Sequence, residues 1–227
     1  MTDLTLAVIV LAAGQGTRMR SSRPKVLHSL AGRSLIGHVL ATAGELDPAH
    51  VIAVVRHERD TVVSTIIELM PNATIVDQDE VPGTGRAVEV AIAALPADFA
   101  GDVVVVSGDV PLLDAATLRS LIDTHRAATA AATVLSAILG DSTGYGRIVR
   151  GTTGDVEAIV EQSDATDDEL AITEVNSGTY VFSVAPLREQ LALVGTKNAQ
   201  GEKYLTDVVG LLRATGAVVS ALPVADG

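Results

Sequence analysis

The chain has 227 residues, no cysteine, 2% aromatic residues and a formal net charge of −12. A chain of this length can bury a core without covalent cross-links, and the absence of cysteine excludes disulfides and thiolate metal sites, as expected of a cytoplasmic protein. The acidic balance and the scarcity of aromatic rings argue against a nucleic-acid groove, and no apolar stretch reaches the length of a bilayer span, so we expect neither nucleic acid nor membrane as a partner.

Apolar branched runs alternate with helical patterns over about the first 130 residues. The first run, Leu6–Leu11, is continuous and ends in a turn containing Gly14 and Gly16. Continuous branched runs are typical of strands covered on both faces of a parallel sheet. The next predicted strands are 51–55, 73–76 and 102–107, and the predicted helices are 34–46, 61–70, 85–95 and one capped by Asp114. This order predicts an α/β fold with a Rossmann-like, doubly wound, mostly parallel sheet.

Beyond about residue 130 the pattern changes to short strands separated by glycine, threonine and acidic residues. The strands predicted here are 132–138, 146–149, 156–160 and 179–182. We expect them to extend the sheet and to add a small antiparallel subregion. The acidic run Asp164–Glu169 is predicted to be a solvated loop, because like charges repel and stay hydrated. No linker or repeat marks a boundary, so residues 1–227 are predicted to form a single domain.

The glycine-rich turn is a candidate phosphate site. Gly14 and Gly16 leave the backbone bare, so amide N–H groups can converge on phosphate oxygens. The turn fits neither common motif, because Met19 replaces the third glycine of a dinucleotide fold and no Walker A run occurs. Arg18 and Lys25 favour a phosphate site, since two nearby cations can neutralise a triphosphate. The alternatives are a tight structural turn and two solvated surface charges.

Other polar residues are predicted at the same edge of the sheet, where open parallel sheets bind ligands. Asp109 follows a buried strand after a single glycine, and its carboxylate can hold Mg²⁺ against phosphate oxygens. The alternative is a turn aspartate before Pro111. Gln78 and Thr84 lie in a strand-to-helix loop at this edge. The Gln78 amide suits a base edge, and Thr84 can contact a ligand or cap its helix.

The turn and six further motifs resemble, in order, the uridyltransferase domain of bacterial N-acetylglucosamine-1-phosphate uridyltransferases, which are sugar-phosphate nucleotidyltransferases. The motifs are Leu11–Met19 with Pro24-Lys25, Gln78 with Gly83-Thr84-Gly85, Gly108-Asp109-Val110-Pro111, Gly144–Ile148, Ile159-Val160-Glu161 with Asp164-Ala165-Thr166, Glu174–Gly178, and Asn198–Asp207. They span nearly the whole chain. The resemblance implies a fold of the nucleotide-diphospho-sugar transferase type, with a UTP-binding half over about residues 1–130 and a sugar-phosphate-binding half over about 131–227.

The resemblance also implies a role for each matched position. Arg18, Lys25 and Asp109 would be catalytic, with Asp109 as a Mg²⁺ ligand. The nucleotide would contact Leu11, Ala12, Ala13, Gly14, Gly16, Thr17, Lys25, Gln78, Gly83 and Thr84. The sugar phosphate would contact Gly108, Gly146, Glu161, Asn176, Tyr204 and Thr206. From the local pattern alone, Glu161 and Asn176 are polar positions in apolar strands, for which a solvated strand face is the alternative.

The implied reaction joins UTP and N-acetylglucosamine 1-phosphate into UDP-N-acetylglucosamine and pyrophosphate, for peptidoglycan and other cell-envelope synthesis. A phosphate oxygen is already a competent nucleophile at neutral pH, so no general base is needed. The family also has a second metal ligand, an asparagine, that would lie beyond Gly227, and a left-handed β-helix that transfers acetyl groups and builds a trimer. We expect this chain to be monomeric and to lack acetyl transfer. Arg86 stands where the family commonly has histidine.

Three alternatives stay open. Another sugar-phosphate or polyol-phosphate nucleotidyltransferase, such as a cytidylyltransferase, would share the glycine turn but would not need Glu161 and Asn176 in their present contexts. A non-catalytic nucleotide-sensing domain would bind UTP without turnover. A redox enzyme with a Rossmann-like site is disfavoured by Met19.

Overall fold

The computed structural model describes residues 5–14, 16, 19, 21 and 23–224. The strands are β1 (Leu6–Ala12), β2 (Ser29–Leu30), β3 (Arg33–Ser34), β4 (His50–Val55), β5 (Thr74–Asp77), β6 (Asp102–Ser107), β7 (Ala132–Ile138), β8 (Arg147–Arg150), β9 (Val156–Val160), β10 (Glu174–Ser183) and β11 (Val219–Val224). The helices are α1 (Leu35–Gly44), α2 (Arg59–Leu69), α3 (Thr84–Ala93), α4 (Ala115–Ala127), α5 (Asp167–Leu170), α6 (Val184–Leu191) and α7 (Asp207–Ala214). No helix in these ranges has the length and apolarity that a bilayer span requires.

The main sheet has the order β11-β7-β10-β6-β1-β4-β5. Strands β6, β1, β4 and β5 pair in parallel, and β11 is parallel to β7. Strand β10 runs antiparallel between β6 and β7, and β8 and β9 form an antiparallel pair beside it. The predicted Rossmann-like, mostly parallel sheet with a small antiparallel subregion is confirmed.

Helices cover both faces of the sheet because its central strands are apolar on both sides. Along β1, Ile9 packs with the layer that contains α3, α6 and α7. Its neighbours Val8 and Val10 pack with the layer that contains α1, α2 and α4. All three side chains are fully buried. Strand β1 therefore lies at the centre of a doubly wound sheet, and the turn that follows it is held at the carboxyl edge.

The acidic run is largely exposed to solvent, as predicted, but part of it is helical rather than a loop. Residues Asp167–Leu170 form α5, which begins with a capping box between Thr166 and Glu169. The Thr166 N–H donates to the Glu169 carboxylate at 2.8 Å, and three acidic residues in the first turn suit the positive end of a helix dipole. Asp164 also accepts a hydrogen bond from the Ala199 N–H at 2.8 Å. Local capping and this long-range contact outweigh the repulsion.

A buried polar cluster lies at the opposite end of β6 from the glycine turn. The Ser183 hydroxyl donates to the Ala130 carbonyl at 3.1 Å, so it accepts from His125 Nε2 at 3.2 Å. His125 Nδ1 then accepts from the Thr133 hydroxyl at 3.0 Å. Burial lowers the pKa of His125 and outweighs the opposing effect of Asp102. These contacts describe a neutral imidazole held by two hydroxyl groups.

The stability of the protein is expected to depend on pH through His125. Because burial lowers the pKa of His125 below the 6.5 of an unfolded chain, the unfolded state takes up the proton first as the pH falls. The stability that the neutral His125 contributes is therefore present above pH 6.5. Below pH 6.5 the free energy of unfolding falls by up to about 1.4 kcal/mol per pH unit. Urea unfolding at several pH values, on wild type and on His125→Gln, measures it. The free-energy difference between the two proteins should shrink as the pH falls, and an unchanged difference would contradict the assignment.

Candidate active site

Two adjoining cavities, of about 380 Å³ and 540 Å³, open at the carboxyl edge of β1, β4, β5 and β6. They share Leu11, Gly14, Gly16 and Thr84. The first cavity is also lined by Met19, Lys25, Val26, Ser107 and Asp109. The second is also lined by Ala13, Arg56, His57, Gln78, Pro82, Gly83, Ala87 and Glu202. One cleft therefore runs from a charged end to an amide-lined end beneath the glycine turn.

The two glycines of the turn serve different purposes. Gly16 has a φ of +63°, and a Cβ there would lie 2.6 Å from Cβ of Lys25. The fold itself therefore requires glycine at this position. A Cβ at Gly14 would meet nothing within 4 Å. Because Gly14 lines both cavities, a side chain there would occupy space that is open to a ligand.

Gly14→Ala is expected to preserve the fold and to weaken nucleotide binding by more than about tenfold, because the added methyl group would project into the cleft. Calorimetric titration with UTP measures the affinity, and thermal unfolding measures the stability. Gly44→Ala is the matched control, since its Cβ would make only an ordinary contact, 3.6 Å from Cε of Met70. Equal UTP affinity in Gly14→Ala and the control would show that the cleft is not the nucleotide site.

Lys25 and Asp109 form an ion pair on the cleft wall. Lys25 begins a short 3-10 helix (Lys25–Leu27) just after the turn, and Asp109 follows β6 after Gly108. The Gly108 N–H donates to the Leu11 carbonyl at 2.8 Å, and a Cβ at Gly108 would lie only 3.1 Å from that oxygen. Glycine thus lets the end of β6 pass close to the end of β1. The side chains of Lys25 and Asp109 are 42% and 23% exposed, so a ligand can reach both charges.

The charged end of the cleft offers Mg²⁺ the carboxylate of Asp109. Within the described residues, no group of three or more His, Asp or Glu side chains could hold a metal ion. Magnesium typically binds one or two carboxylates and completes its octahedron with water and substrate phosphate oxygens. Asp109 fits that pattern as a single carboxylate ligand beside bound phosphates. It does not form a metal site by itself.

Gln78 is held at the amide-lined end by its own loop. Its Nε2 donates to the carbonyls of Val81 at 2.9 Å and Gly83 at 3.1 Å, and the residue is 9% exposed. Gly83 has a φ of +112°, which lets the loop curl around the amide. The Oε1 atom of Gln78 accepts no hydrogen bond from any described residue. It is therefore available as an acceptor at the cleft.

A second polar cluster lies where the β8–β9 hairpin meets α7. The Thr206 hydroxyl donates to Glu161 Oε1 at 3.1 Å. The other carboxylate oxygen, Oε2, lies 3.4 Å from where a Cβ of Gly146 would be. Asn176 donates its backbone N–H to the Gly146 carbonyl at 2.9 Å, which joins β10 to the cluster. Burial raises the pKa of Glu161, and three nearby carboxylates, including Asp207, raise it further.

The Asn176 side chain is fixed by a bulge in β10. The pairing of β10 with β7 shifts between Asn176 and Tyr180, and Gly178 within the bulge has a φ of +79°. Asn176 Oδ1 accepts from the Gly178 N–H at 2.9 Å, and Nδ2 donates to the Tyr180 hydroxyl at 2.7 Å. One Nδ2 hydrogen remains for a ligand. The sequence motif gave no indication of the supporting role of Tyr180.

The polar cluster adjoins the cleft through the segment before α7. The Leu205 N–H donates to Thr84 Oγ1 at 3.2 Å, and Thr84 lines both cleft cavities. Tyr204 and Thr206, on either side of Leu205, line a third cavity of about 480 Å³ that also contains Glu161. The Tyr204 hydroxyl lies 3.3 Å from Oδ2 of Asp164.

Most of the site residues predicted from the sequence line these three cavities. Gly146 and Asn176 line none of the three and belong instead to the polar cluster around Glu161. Ala12 is buried in the core, so only its backbone can face a ligand. Gly108 holds two strand ends together, as described above. Thr17 and Arg18 lie outside the described residues. Arg56 and His57 line the cleft but were not predicted, although they directly follow β4. Their position after a buried strand was the available signal, as it was for Asp109.

Comparisons with known proteins agree with this architecture. The chain is 63% identical over 226 residues to the bifunctional protein GlmU of Leifsonia xyli subsp. xyli, covering 100% of this chain and 46% of that protein. It is 62% identical over 222 residues to the bifunctional protein GlmU of Clavibacter sepedonicus, covering 98% of this chain and 45% of that protein. The chain thus spans about half the length of the curated relatives it matches.

The fold and the family are confirmed by two further comparisons. The structure of a UDP-glucose pyrophosphorylase complexed with UDP-glucose superimposes with a TM-score of 0.77 at 15% identity, covering 96% of this chain and 90% of that one. The family model of the MobA-like NTP transferase domain matches residues 8–209. That match covers most of the chain, from within β1 to the first turn of α7, and it includes all of β6. The chain therefore belongs to the family of MobA-like NTP transferase domains.

Proposed function

We propose that this chain transfers the uridylyl group of UTP to N-acetylglucosamine 1-phosphate, releasing pyrophosphate and forming UDP-N-acetylglucosamine. The observation that carries the proposal is the contact between Thr84 and Leu205, which joins a cleft bearing Lys25 and Asp109 to the cluster around Glu161. A nucleotide cleft beside a cluster of hydroxyl-binding groups suits a reaction between a nucleoside triphosphate and a sugar phosphate. The identity to proteins named as bifunctional GlmU supports this choice of substrates.

The uridine is proposed to bind at the amide-lined end of the cleft. Uracil has an N–H at N3, whereas cytosine has an acceptor there, so the free Oε1 of Gln78 would favour uracil. The further contacts to the nucleotide would come from Leu11, the backbone of Ala12 to Gly14, Gly16, Thr17, Gly83 and Thr84. Lys25 and Arg18 would hold the phosphates as charge-matched donors.

Catalysis would consist of alignment and charge stabilisation. A phosphate oxygen of the acceptor would attack the α-phosphorus of UTP in line with the departing pyrophosphate, with no general base. Lys25 would stabilise the negative charge that develops on the triphosphate. When bound, Mg²⁺ would neutralise charge at the same phosphates, and Asp109 would be its ligand in this chain.

The sugar phosphate is proposed to bind at the cluster around Glu161. The Glu161 carboxylate would accept hydrogen bonds from sugar hydroxyls, and the free Nδ2 hydrogen of Asn176 would donate to an acceptor such as the N-acetyl carbonyl. Gly146, Tyr204 and Thr206 would complete this side. Gly108, between the ends of β1 and β6, would contact the sugar phosphate from the cleft. The product would serve cell-envelope synthesis in the cytoplasm. The monomeric state stays a prediction.

Pyrophosphate release, measured with each of the four ribonucleoside triphosphates and with two acceptors, tests the proposal. UTP with N-acetylglucosamine 1-phosphate is expected to be the preferred pair. Glucose 1-phosphate is the matched control, because it lacks the N-acetyl group assigned to Asn176. Preference for CTP or for a different acceptor would identify another nucleotidyltransferase. UTP binding without release would identify a nucleotide-sensing domain.

A further inference from the structure

Four side chains of alternating charge connect two segments of the chain. One is the loop of residues 78–83, between β5 and α3, which we call the uridine loop. The other is the stretch of residues 203–206 before α7, which we call the acceptor segment. Arg86 Nε lies 3.1 Å from both carboxylate oxygens of Asp79, in the loop after β5. Arg86 Nη1 lies 2.6 Å from Glu89 Oε2, within α3. Lys203 Nζ lies 2.8 Å from Glu89 Oε1. We call Asp79, Arg86, Glu89 and Lys203 the charge chain.

The backbone of Lys203 also lies directly against the uridine loop. Its N–H donates to the Pro82 carbonyl at 2.9 Å, and its carbonyl accepts from the Gly85 N–H at 2.8 Å. A Cβ at Gly83 would lie 2.3 Å from the Lys203 carbonyl oxygen, and one at Gly85 would lie 2.8 Å from it. Glycine at these two positions is what permits the approach. The loop that holds Gln78 is therefore built against Lys203.

The same segment carries proposed acceptor residues. Tyr204 follows Lys203 directly, and Thr206 donates to Glu161 at 3.1 Å. Leu205, between them, donates its N–H to Thr84 at 3.2 Å. A displacement of Lys203 would thus disturb contacts on both the donor and the acceptor sides.

Charge burial at Lys203 calls for an explanation other than stability. The residue is 8% exposed, and a buried ion pair contributes little net stability compared with a well-packed apolar side chain of similar volume. The ion pair does fix the position of the Lys203 side chain relative to Arg86, because both cations bind the same carboxylate, that of Glu89. The hydrogen bond from Arg86 lowers the pKa of Asp79, and the hydrogen bonds to Asp79 and Glu89 raise the pKa of Arg86.

We propose that Lys203 and Arg86 are positioning residues, whose charge chain fixes the uridine loop and the acceptor segment as one unit. Arg86, which departs from the histidine common in the resembled family, gains a role here as the link between Asp79 and Glu89. The inference rests on the proposed function for the identity of the two ligands. The contacts that it invokes can be tested without turnover.

Steady-state kinetics on Lys203→Met tests the catalytic consequence. This variant keeps the length of the side chain and removes its charge, so we expect the KM values for UTP and for the sugar phosphate each to rise at least fivefold, with kcat changed less than twofold. Lys203→Arg should restore both KM values to within twofold of wild type. The control Arg188→Met removes hydrogen bonds to the Phe99 and Pro96 carbonyls, remote from the cleft, and should change neither. Unchanged KM values in Lys203→Met would overturn the proposal.

Amide hydrogen exchange tests the charge chain separately from catalysis. In Lys203→Met and in Arg86→Leu, the backbone amides of residues 85 and 203 should exchange at least tenfold faster than in wild type. In the control Arg188→Met, both amides should exchange at the wild-type rate. Unchanged exchange at both amides would overturn the positioning role even if the wild-type protein is active. If the wild type forms no nucleotide sugar, the proposed function fails, while the exchange rates still decide the role of the charge chain.

Discussion

Lys25→Ala is expected to lower kcat/KM for nucleotide-sugar formation by at least about 100-fold, equivalent to about 3 kcal/mol of transition-state stabilisation. The ammonium group lies on the wall of the cleft beside Asp109, where charge would develop on the departing pyrophosphate. Removing it takes away a preorganised positive charge from a partly enclosed site. Steady-state assays with UTP and N-acetylglucosamine 1-phosphate, with Mg²⁺ present, measure the loss.

Two further variants and a melting temperature complete this test. Asp109→Ala is expected to show a loss of similar size, because it removes the carboxylate assigned to the metal. Arg119→Ala removes a cation that instead contacts the Glu45 carbonyl, and it should leave kcat/KM unchanged. Because Lys25 is 42% exposed, its removal should hardly change the melting temperature. Near-normal turnover in Lys25→Ala or Asp109→Ala would refute the assignment.

Glu161→Gln is expected to change activity and stability in opposite directions. The variant keeps an acceptor for the Thr206 hydroxyl but loses the charge that would bind sugar hydroxyls. We expect kcat/KM for the sugar phosphate to fall about 30-fold, equivalent to about 2 kcal/mol, which is typical of a hydrogen bond to a charged group. At pH 7.5 the free energy of unfolding should rise by about 1 kcal/mol.

The sign of the stability change follows from the raised pKa of Glu161. Burial first, and then the neighbouring carboxylates, raise that pKa above 4.5 in the folded protein. The folded state therefore favours the protonated form of Glu161. The stability that this protonated carboxyl contributes is present at low pH and is lost as the pH rises through its pKa in the folded protein. At neutral pH the charge is unfavourable, and glutamine removes it. Glu157→Gln, at an exposed position on β9, the strand that Glu161 follows, is the control and should change neither quantity. A destabilised Glu161→Gln protein would contradict this account of the charge.

Local patterns were sufficient to predict the framework of the fold. The continuous apolar runs of β1 and β6 predicted strands buried on both faces. The predicted helix cap at Asp114 is confirmed, since its carboxylate accepts from the Thr117 N–H at 2.7 Å. The rule that ligands bind at the carboxyl ends of parallel strands brought Gly14, Gln78 and Asp109 to one cleft. That rule needs only strand order and direction.

Contacts between distant segments could not be predicted in the same way. Tyr180 supports Asn176 only because β10 bulges, and Lys203 is paired only because its segment returns to α3. Neither side chain has a local periodicity that marks its partner. The spacing of Thr166 and Glu169 is that of a capping box, a local signal in the sequence that favours a helix here despite the like charges of the run. Helices α6 and α7 and strand β11 also went unpredicted.

The most direct test of the central claim follows the phosphorus atoms of UTP. The purified chain is incubated with N-acetylglucosamine 1-phosphate, Mg²⁺ and UTP labelled either at the α-phosphorus or at the γ-phosphorus, and the products are separated. Attack at the α-phosphorus predicts that the α label appears in UDP-N-acetylglucosamine and the γ label in pyrophosphate. Transfer of the γ label to the sugar, or no transfer of the α label, would contradict the account.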